Sequence, residues 1–393
     1  MSPTRVLISG AGIAGPTLAH WLIRHGGFEV TLVESAPRLR TGGYVVDFWG
    51  AGYDIAERMG ILPEIQAKGY RVQEIRMVNR GGKRVGHLPI DAIRRTLHGR
   101  FLSVPRAELA ASIFGTITGR LETLFGDSVT SLQQYPDRVG VRFEHAPPRE
   151  FDLVIGADGL HSRIRALAFG DDGFETYLGL QFAAFELRGY RPRDEDVYVL
   201  YNQVGGQTGR FTLRGDRTLF LFVLTAGSPQ VPEDEAGEKD LLRRRFADAG
   251  WECPRILGEV DRADSFYFDR VSQIRMEEWS RGRVALVGDA AFAPSFLAGQ
   301  GSALAMLGAY VLAGELGALR DDPSQAFLRY HQRLGSFMAS KQRAAVSFSD
   351  NFAPRSKLSV FLKNHLSSAL GLPLVADMVF GPLMRDRIPL PSY

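Results

Sequence analysis

Apolar and polar residues alternate along the start of the chain in a way that predicts a strand, a helix and a second strand. Residues 6–9 (VLIS) form a β-rich run that meets a glycine-rich turn. Beyond the turn, Leu18 and Leu22 recur at helical spacing, and a second apolar run at residues 30–33 ends in Glu34. This pattern predicts a β-α-β unit.

Later stretches change the period of the pattern. The segment VQEIRMVNRGGKRVGHLPI and residues 177–225 alternate with period two, which predicts strands. The segment SVPRAELAASIFGTI has helical spacing, and DSVTSLQQYPDRVGVRFEH predicts a hairpin. Two sheet-rich insertions therefore interrupt the α/β pattern with which the chain begins.

The first turn predicts a dinucleotide site. Its glycines permit a tight turn, close approach of the backbone to a pyrophosphate and close helix packing, and the helix N-terminus faces the anion. The predicted contacts in GAGIAG are Gly10, Gly12, Ile13, Ala14 and Gly15. Glu34 ends the next strand about 20 residues later, where it is placed to accept hydrogen bonds from a ribose.

The turn alone leaves NAD and FAD open. An NAD dehydrogenase would continue the strand–helix alternation and add a catalytic His or Lys, whereas this chain inserts sheets. The sequence has no second GxGxxG motif, which excludes a dedicated nicotinamide domain but not transient use of NADPH. We predict an α/β fold with α+β insertions and a C-terminal helix. A discontinuous Rossmann-like, dinucleotide-binding domain comprises residues 1–71, 101–172 and 276–350, a substrate-binding β-sheet domain 72–100 and 173–275, and a helical segment 351–393.

The composition of the chain excludes several classes of binding partner. The formal charge of +3 is too small and too dispersed for a nucleic-acid groove, and the single cysteine, Cys253, excludes a disulfide framework. The eight histidines show no HExxH spacing, so we predict no metal. No run reaches the roughly 18 uninterrupted apolar residues of a membrane span. We predict a cytoplasmic protein, monomeric or weakly dimeric, without integral membrane association.

Three more motifs follow the first turn in order. They are VPRAEL at residues 104–109, VIGADGLHSRIR at 154–165 and LVGDAAFAPSFLAGQG at 286–301. Together with GAGIAG, over about residues 5–320, they resemble the class A flavoprotein aromatic monooxygenases, the para-hydroxybenzoate hydroxylase family, and within it the tetracycline-modifying branch. The resemblance implies FAD as the cofactor, and thus favours FAD over NAD.

The resemblance also implies roles for single residues. Arg106 would contact the FAD pyrophosphate, and Asp158 with Gly159 would serve both FAD and the nicotinamide cofactor. Asp289, which follows Gly288, would hydrogen-bond a ribityl hydroxyl. The helix that begins near Gly299 and Gly301 would direct its positive end at the pyrimidine side of the flavin. No role is assigned to His161 or Ser162.

The loop TGGYVVDFWG, residues 41–50, resembles the segment beside the isoalloxazine ring. Gly42 and Gly43 would neighbour the flavin. Arg40 would cover the flavin or the nicotinamide unless it is a solvated loop residue. Asp47 would face the catalytic cavity unless it is a solvent-facing strand acid. Arg40 and Asp47 are thus candidates for a catalytic role, which the sequence leaves unassigned.

Three departures from the family fall in the last motif or directly after it. Many members have His where Phe292 stands, a Pro-Pro pair where Ser295 and Phe296 stand, and Asn where Ala303 stands. These positions are expected near the active face of the flavin. FAD binding should survive the changes because backbone groups make many of the contacts, but the substrate geometry of other members need not carry over.

The inserted sheet supplies the candidate substrate contacts. Its aromatic residues predict an apolar aromatic or polycyclic substrate, and the candidates are Phe182, Tyr201, Phe211, Phe220 and Phe222. The alternative for each one is an ordinary core position.

The resemblance implies a monooxygenase in which NADPH or NADH reduces FAD, and O2 adds at the flavin C4a position. The resulting hydroperoxide would transfer oxygen to the substrate. A flavin-dependent halogenase is an alternative, but its WxWxIP signature is missing and Trp251 and Trp279 stand alone. A catalytically silent FAD-binding accessory protein is a second alternative.

Overall fold

A computed structural model of the protein describes residues 2–40, 42, 44–170, 173–347, 352–366, 384 and 388–393. The first elements are β1 (Thr4–Ser9), α1 (Ala14–His25), β2 (Phe28–Glu34), β3 (Val45–Trp49), α2 (Ala51–Arg58), α3 (Leu62–Lys68), β4 (Glu74–Val78), β5 (Arg84–Pro89), α4 (Ile90–Thr96), β6 (Phe101–Pro105), α5 (Arg106–Gly115), β7 (Glu122–Phe125), β8 (Val129–Gln134), β9 (Val139–Phe143), β10 (Arg149–Phe151), β11 (Leu153–Gly156) and α6 (Arg163–Phe169). The later elements are β12 (Glu175–Arg188), β13 (Val197–Gln203), β14 (Gly206–Leu213), β15 (Arg217–Thr225), α7 (Glu235–Arg245), α8 (Cys253–Gly258), β16 (Ser265–Ile274), β17 (Ser280–Arg281), β18 (Val284–Leu286), α9 (Asp289–Phe292), α10 (Gly301–Ala318), α11 (Pro323–Ser347) and α12 (Lys357–Leu366).

A six-stranded sheet includes the first β-α-β unit, in the order β17-β18-β11-β1-β2-β7. Strand β1 pairs in parallel with both β11 and β2, so that Val6 lies opposite Leu153 on one side and Val30 on the other. Val6, Leu7 and Ile8 are fully buried, as is typical of a parallel strand covered on both faces. The β-α-β prediction for the start of the chain is confirmed.

Four polar or glycine positions reach one edge of this sheet. Gly10 follows β1, Glu34 ends β2, Asp158 follows β11 and Asp289 follows β18. These four strands are parallel, so their carboxyl ends meet at the same edge. Ligands of open α/β sheets bind at that edge.

A seven-stranded sheet, in the order β16-β12-β15-β14-β13-β4-β5, forms the second layer of the molecule. Its strands come from residues 74–89 and 175–274 and pair antiparallel except for β13 with β4. Neighbouring side chains alternate between the two faces. On one face Phe185 and Phe222 pack under α7 and α8, while on the other Phe182 and Val223 belong to a smaller cluster with Leu297. The domain boundaries themselves stay a prediction.

Helix α10 runs through the core. By length and composition it is the one described helix long and apolar enough to cross a membrane, yet 83% of it is buried inside the protein. It packs against α1, α2 and α11. This burial is typical of a core helix of a globular protein. The C-terminal helix α12 lies against β5 and β13.

Candidate functional site

A cavity of about 590 Å³ lies at the carboxyl edge of the parallel sheet and extends to the seven-stranded sheet. Most of the residues predicted to bind the cofactor line it: Gly10, Gly12, Ile13, Ala14, Glu34, Gly42, Arg106, Asp158, Gly159, Asp289, Gly299 and Gly301. Arg40, Asp47 and Phe182 also line the cavity. Gly43 lies outside the described residues. Among the described residues, no group of three or more His, Cys, Asp or Glu side chains is arranged to hold a metal.

Two glycines of the first turn, Gly10 and Gly15, leave no room for side chains. Gly10 has φ +109°, and a Cβ there would lie 2.5 Å from the Ala157 carbonyl oxygen. Gly15 does not line the cavity but lies behind the turn against Gly10. Gly288, with φ +67°, passes so close to α1 that a Cβ would lie 3.0 Å from that of Ala14. Gly15 and Gly288 therefore shape the cavity from behind.

Glu34 is held by the backbone at the edge of the cavity. Its Oε2 accepts a hydrogen bond from the Ala11 N–H at 2.8 Å, and Oε1 accepts one from the Ala36 N–H at 3.0 Å. The two bonds fix the carboxylate beside the glycine turn. Each oxygen keeps acceptor capacity for a ligand hydroxyl, since a carboxylate offers about four lone-pair sites.

Arg106 and Asp289 bring opposite charges to the middle of the cavity. Arg106 begins α5, and its backbone N–H donates to the Tyr44 carbonyl at 3.0 Å. Its guanidinium lies by the first turn, because a Cβ on Gly12 would be 3.8 Å from Nη2. Burial raises the pKa of Asp289, and Arg106 partly offsets that rise. Arg106 is therefore available to an anionic group at the turn.

Asp158 uses its carboxylate to hold its own loop. Its Oδ1 accepts from the Ser162 hydroxyl, and Oδ2 accepts from the N–H groups of Arg163 at 2.8 Å and Ile164 at 3.0 Å. Burial raises the pKa of Asp158 and these hydrogen bonds oppose the rise. The carboxylate thus caps the N-terminus of α6, while Gly159, with φ +84°, also faces the cavity.

A hydrogen-bonded cluster at the cavity wall was missed by sequence reasoning. His161 Nε2 lies 3.1 Å from Asp269 Oδ2, and the Tyr267 hydroxyl donates to the same oxygen at 2.9 Å. The Asp269 partner raises the pKa of His161. The sequence offers one signal for this cluster, which is the acid Asp269 inside the largely apolar strand segment SFYFDRV. Other lining residues that were not predicted include Tyr44, Trp49, Asp127, Arg270, Phe296 and Phe352.

Aromatic rings cover the end of the cavity that faces the seven-stranded sheet. Phe182 and Phe296 stack with ring centroids 4.4 Å apart and an interplanar angle of 14°. Tyr44 meets both rings edge-on, and Phe352 lies 6.0 Å from Phe296. This geometry provides a flat apolar wall.

Four of the five predicted substrate residues do not line the cavity. Tyr201, Phe220 and Phe222 belong to the core under α7 and α8, on the opposite face of the sheet from Phe182. Phe211 packs edge-on against Tyr70 in another core cluster. The prediction for these four residues is corrected. Tyr201, Phe220 and Phe222 alternate with positions on the face of Phe182, and the period-two pattern does not tell which face meets a ligand. Phe211, which lies opposite Leu219, shares the face of Phe182 but packs into a separate core cluster.

The two catalytic candidates differ in environment. Arg40 is exposed at the cavity rim. Asp47 lines the cavity wall, where the Ser103 hydroxyl donates to its Oδ1 at 2.6 Å. Burial raises the pKa of Asp47 to about 6, although the hydrogen bond from Ser103 lowers it. A carboxyl group that titrates near neutral pH inside a cavity is suited to proton transfer.

Only one of the three family departures lines the cavity. Ser295, with φ +87°, faces it. Phe292 is buried against Trp279, with ring centroids 4.7 Å apart. Ala303 packs against α2, because a Cβ added to Gly52 of that helix would lie 2.6 Å from the Cβ of Ala303. The expectation that all three lie near the active face is corrected, since α9 and α10 turn two of them into the core.

Known proteins resemble this chain over most of its length. A family described as FAD binding domain matches residues 3–339. A flavin-dependent monooxygenase from an unknown prokaryotic organism is 36% identical over 90% of this chain and 92% of its own length. An uncharacterized protein of Mycobacterium tuberculosis is 40% identical over 86% of this chain and 91% of its own. The crystal structure of tetracycline destructase Tet(55) has a TM-score of 0.85 at 32% identity, covering 100% of both chains.

These matches confirm the resemblance drawn from the four motifs and the mixed α/β fold. They also establish FAD as the cofactor and an oxidoreductase of the monooxygenase class, for which NAD(P)H is the typical reductant. The chain belongs to the FAD-binding-domain family of flavin-dependent monooxygenases.

Proposed function

We propose that this monooxygenase oxygenates an apolar aromatic or polycyclic small molecule, with NADPH or NADH as reductant and O2 as co-substrate. The stacked Phe182 and Phe296 carry the proposal, since they wall the cavity into which the dinucleotide turn also opens. Apolar pockets with aromatic walls bind flat ligands. The solved relative at 32% identity is named for tetracycline, which is a fused-ring compound.

The residues of the cavity fit FAD. Gly10 excludes a side chain where backbone must approach a pyrophosphate, and Glu34 presents a fixed carboxylate to a ribose. The N-termini of α1 and α10 both reach the cavity. FAD supplies hydride acceptance and O2 activation when it is bound.

We assign the remaining contacts from position. Arg106 pairs with the pyrophosphate, since its guanidinium lies beside Gly12. Asp289 accepts a hydrogen bond from a ribityl hydroxyl. The N-terminus of α10, at Gly301, stabilises negative charge on the side of the ring that faces it. Arg40 lies at the rim, where it is placed to contact a nicotinamide cofactor.

Replacing Glu34 with glutamine tests the ribose assignment. We expect the Kd for FAD to rise about tenfold, because a hydrogen bond to a charged group contributes about 1.5–3 kcal/mol. Quenching of FAD fluorescence on titration with apoprotein measures this Kd. Glu29→Gln, on the exposed part of the same strand, is the matched control. Equal Kd values for FAD in the two variants would show that Glu34 does not bind the ribose.

The chain's own groups act on the substrate side. Phe182, Phe296 and Tyr44 hold the substrate flat and exclude water from the reacting face. Asp47 keeps Oδ2 for a proton of the substrate, while Oδ1 is held by Ser103. A hydroxyl hydrogen-bonded to Asp47 gains electron density in its ring as the proton moves toward Oδ2, which favours attack by an electrophilic oxygen.

Anaerobic reduction of the FAD-loaded protein tests the proposed function. We expect NADPH or NADH to bleach the flavin absorbance, and an added polycyclic phenol to accelerate the bleaching. An acyclic alcohol of similar size is the control ligand. Bleaching by dithionite but by neither nicotinamide cofactor, with any ligand, would contradict the proposal and favour a silent FAD-binding protein.

We also propose that the enzyme works in the cytoplasm as a monomer or weak dimer. Among the described helices, the one apolar enough to cross a membrane, α10, is buried in the core, and the single cysteine, Cys253, is buried and free. A free thiol is typical of reducing compartments.

A further inference from the structure

The C-terminal helix α12 turns its polar side toward the protein. Asn364 is 6% exposed, and its Oδ1 accepts from Asn202 Nδ2 at 2.7 Å. Lys363 Nζ donates to Asn202 Oδ1 at 2.8 Å, and Gln207 Nε2 donates to the same oxygen at 2.7 Å. Burial lowers the pKa of Lys363 to about 7. Because buried polar groups require partners, this network fixes which face of α12 points inward.

The opposite face of α12 is apolar and exposed. Leu358, Phe361 and Leu362 are 66%, 55% and 42% exposed. Their i, i+3, i+4 spacing places them on one side of the helix, and we call these three residues the apolar stripe. A surface helix normally buries such a stripe and exposes its polar face. Single exposed apolar side chains are ordinary, but a contiguous group marks an interaction site.

The charge around the stripe favours an anionic partner. Residues 351–376 contain neither Asp nor Glu, and Arg355 and Lys357 are their outward-facing cations, since Lys363 points inward. Lys357 and Arg355 are exposed at the N-terminal end of the stripe. Apolar residues flanked by cations are typical of helices that lie in the surface of anionic membranes. A second copy of the chain is a poorer fit, because three side chains offer far less than the roughly 800 Å² per partner of a stable dimer.

We propose that the apolar stripe inserts into the surface of an anionic lipid bilayer and holds the enzyme there peripherally. The helix is short, so the attachment is weak and reversible. Only a few residues of the sequence separate α12 from the cavity. Phe352 lines the aromatic end of the cavity, and Ala353 packs in the same cluster as Phe182.

Vesicle flotation of the full-length, FAD-loaded protein tests this proposal. We expect the protein to float with phosphatidylcholine vesicles that contain about one-third phosphatidylserine and to bind pure phosphatidylcholine about tenfold more weakly. Raised salt should release it. The triple variant Leu358→Ser, Phe361→Ser, Leu362→Ser should lose binding about tenfold or more, because the apolar area is removed.

Controls separate membrane contact from damage to the fold. Leu328→Ser removes another leucine that is 47% exposed, on α11, and should bind vesicles like the wild type. The triple variant should keep its flavin content and Tm, since the stripe points outward. Wild-type protein that stays unbound with both vesicle types would overturn the proposal. So would equal binding by the triple variant, or self-association of the wild type that the triple variant loses.

Discussion

Replacing Gly15 with alanine is expected to weaken FAD binding about 100-fold and to destabilise the protein even without FAD. A Cβ at this position would lie 1.9 Å from the Gly10 carbonyl oxygen, which is backbone and cannot rotate away. The turn would have to open between β1 and α1, at the place where the pyrophosphate is proposed to bind. Overpacking of this kind costs on the order of 3 kcal/mol, and the same amount lost from binding is about 100-fold in Kd.

Gly12→Ala is the matched control for Gly15→Ala. At Gly12 the nearest neighbour of a new Cβ is the end of the Arg106 side chain, 3.8 Å away. The Gly12→Ala apoprotein should therefore melt like the wild-type apoprotein, although its Cβ enters the cavity and weakens FAD. Thermal unfolding and FAD titration of both variants check this difference. Wild-type Tm and FAD affinity in Gly15→Ala would contradict the packing argument.

The cofactor end of the site could be predicted because its constraints are local in sequence. A tight turn, a helix start and an acid at the next strand end lie within one β-α-β unit, and Gly10 and Glu34 both line the cavity as expected. The later motifs add Asp158 and Asp289 at the ends of strands whose parallel pairing places them on the same edge.

The substrate end could not be predicted because its geometry depends on contacts between distant segments. Asp269 meets His161 across 108 positions of the chain, so neither residue suggested the other. Alternation in β12 and β15 places aromatics on both faces of the sheet, but only the packing of α7 and α8 shows which face is core. Phe182 therefore lines the cavity, while Phe220 and Phe222 lie in the core, and the contact of Phe182 with a substrate stays a prediction.

Replacing Asp47 with asparagine is expected to lower turnover by about 100-fold or more, the range of a lost proton acceptor. FAD binding should be unchanged, since Asp47 lies on the substrate side. In the wild type kcat/KM should rise with pH through about 6, as Asp47 ionises. The asparagine variant should lack this rise of kcat/KM with pH. Ser103→Ala removes the hydrogen bond that lowers the pKa of Asp47. In this variant the rise of kcat/KM should therefore occur at higher pH.

Stability should respond to Asp47 in the opposite direction from activity. Burial raises the pKa of Asp47 from 3.8 to about 6, so the folded protein holds this proton more tightly than the unfolded chain. The resulting stabilisation is present below the unfolded pKa and is lost as pH rises through about 6. At pH values above that range, the asparagine variant, which carries no charge there, should melt at or above the wild-type Tm despite its lost activity. A variant that is both less active and less stable at alkaline pH would show that Asp47 supports the fold rather than the reaction.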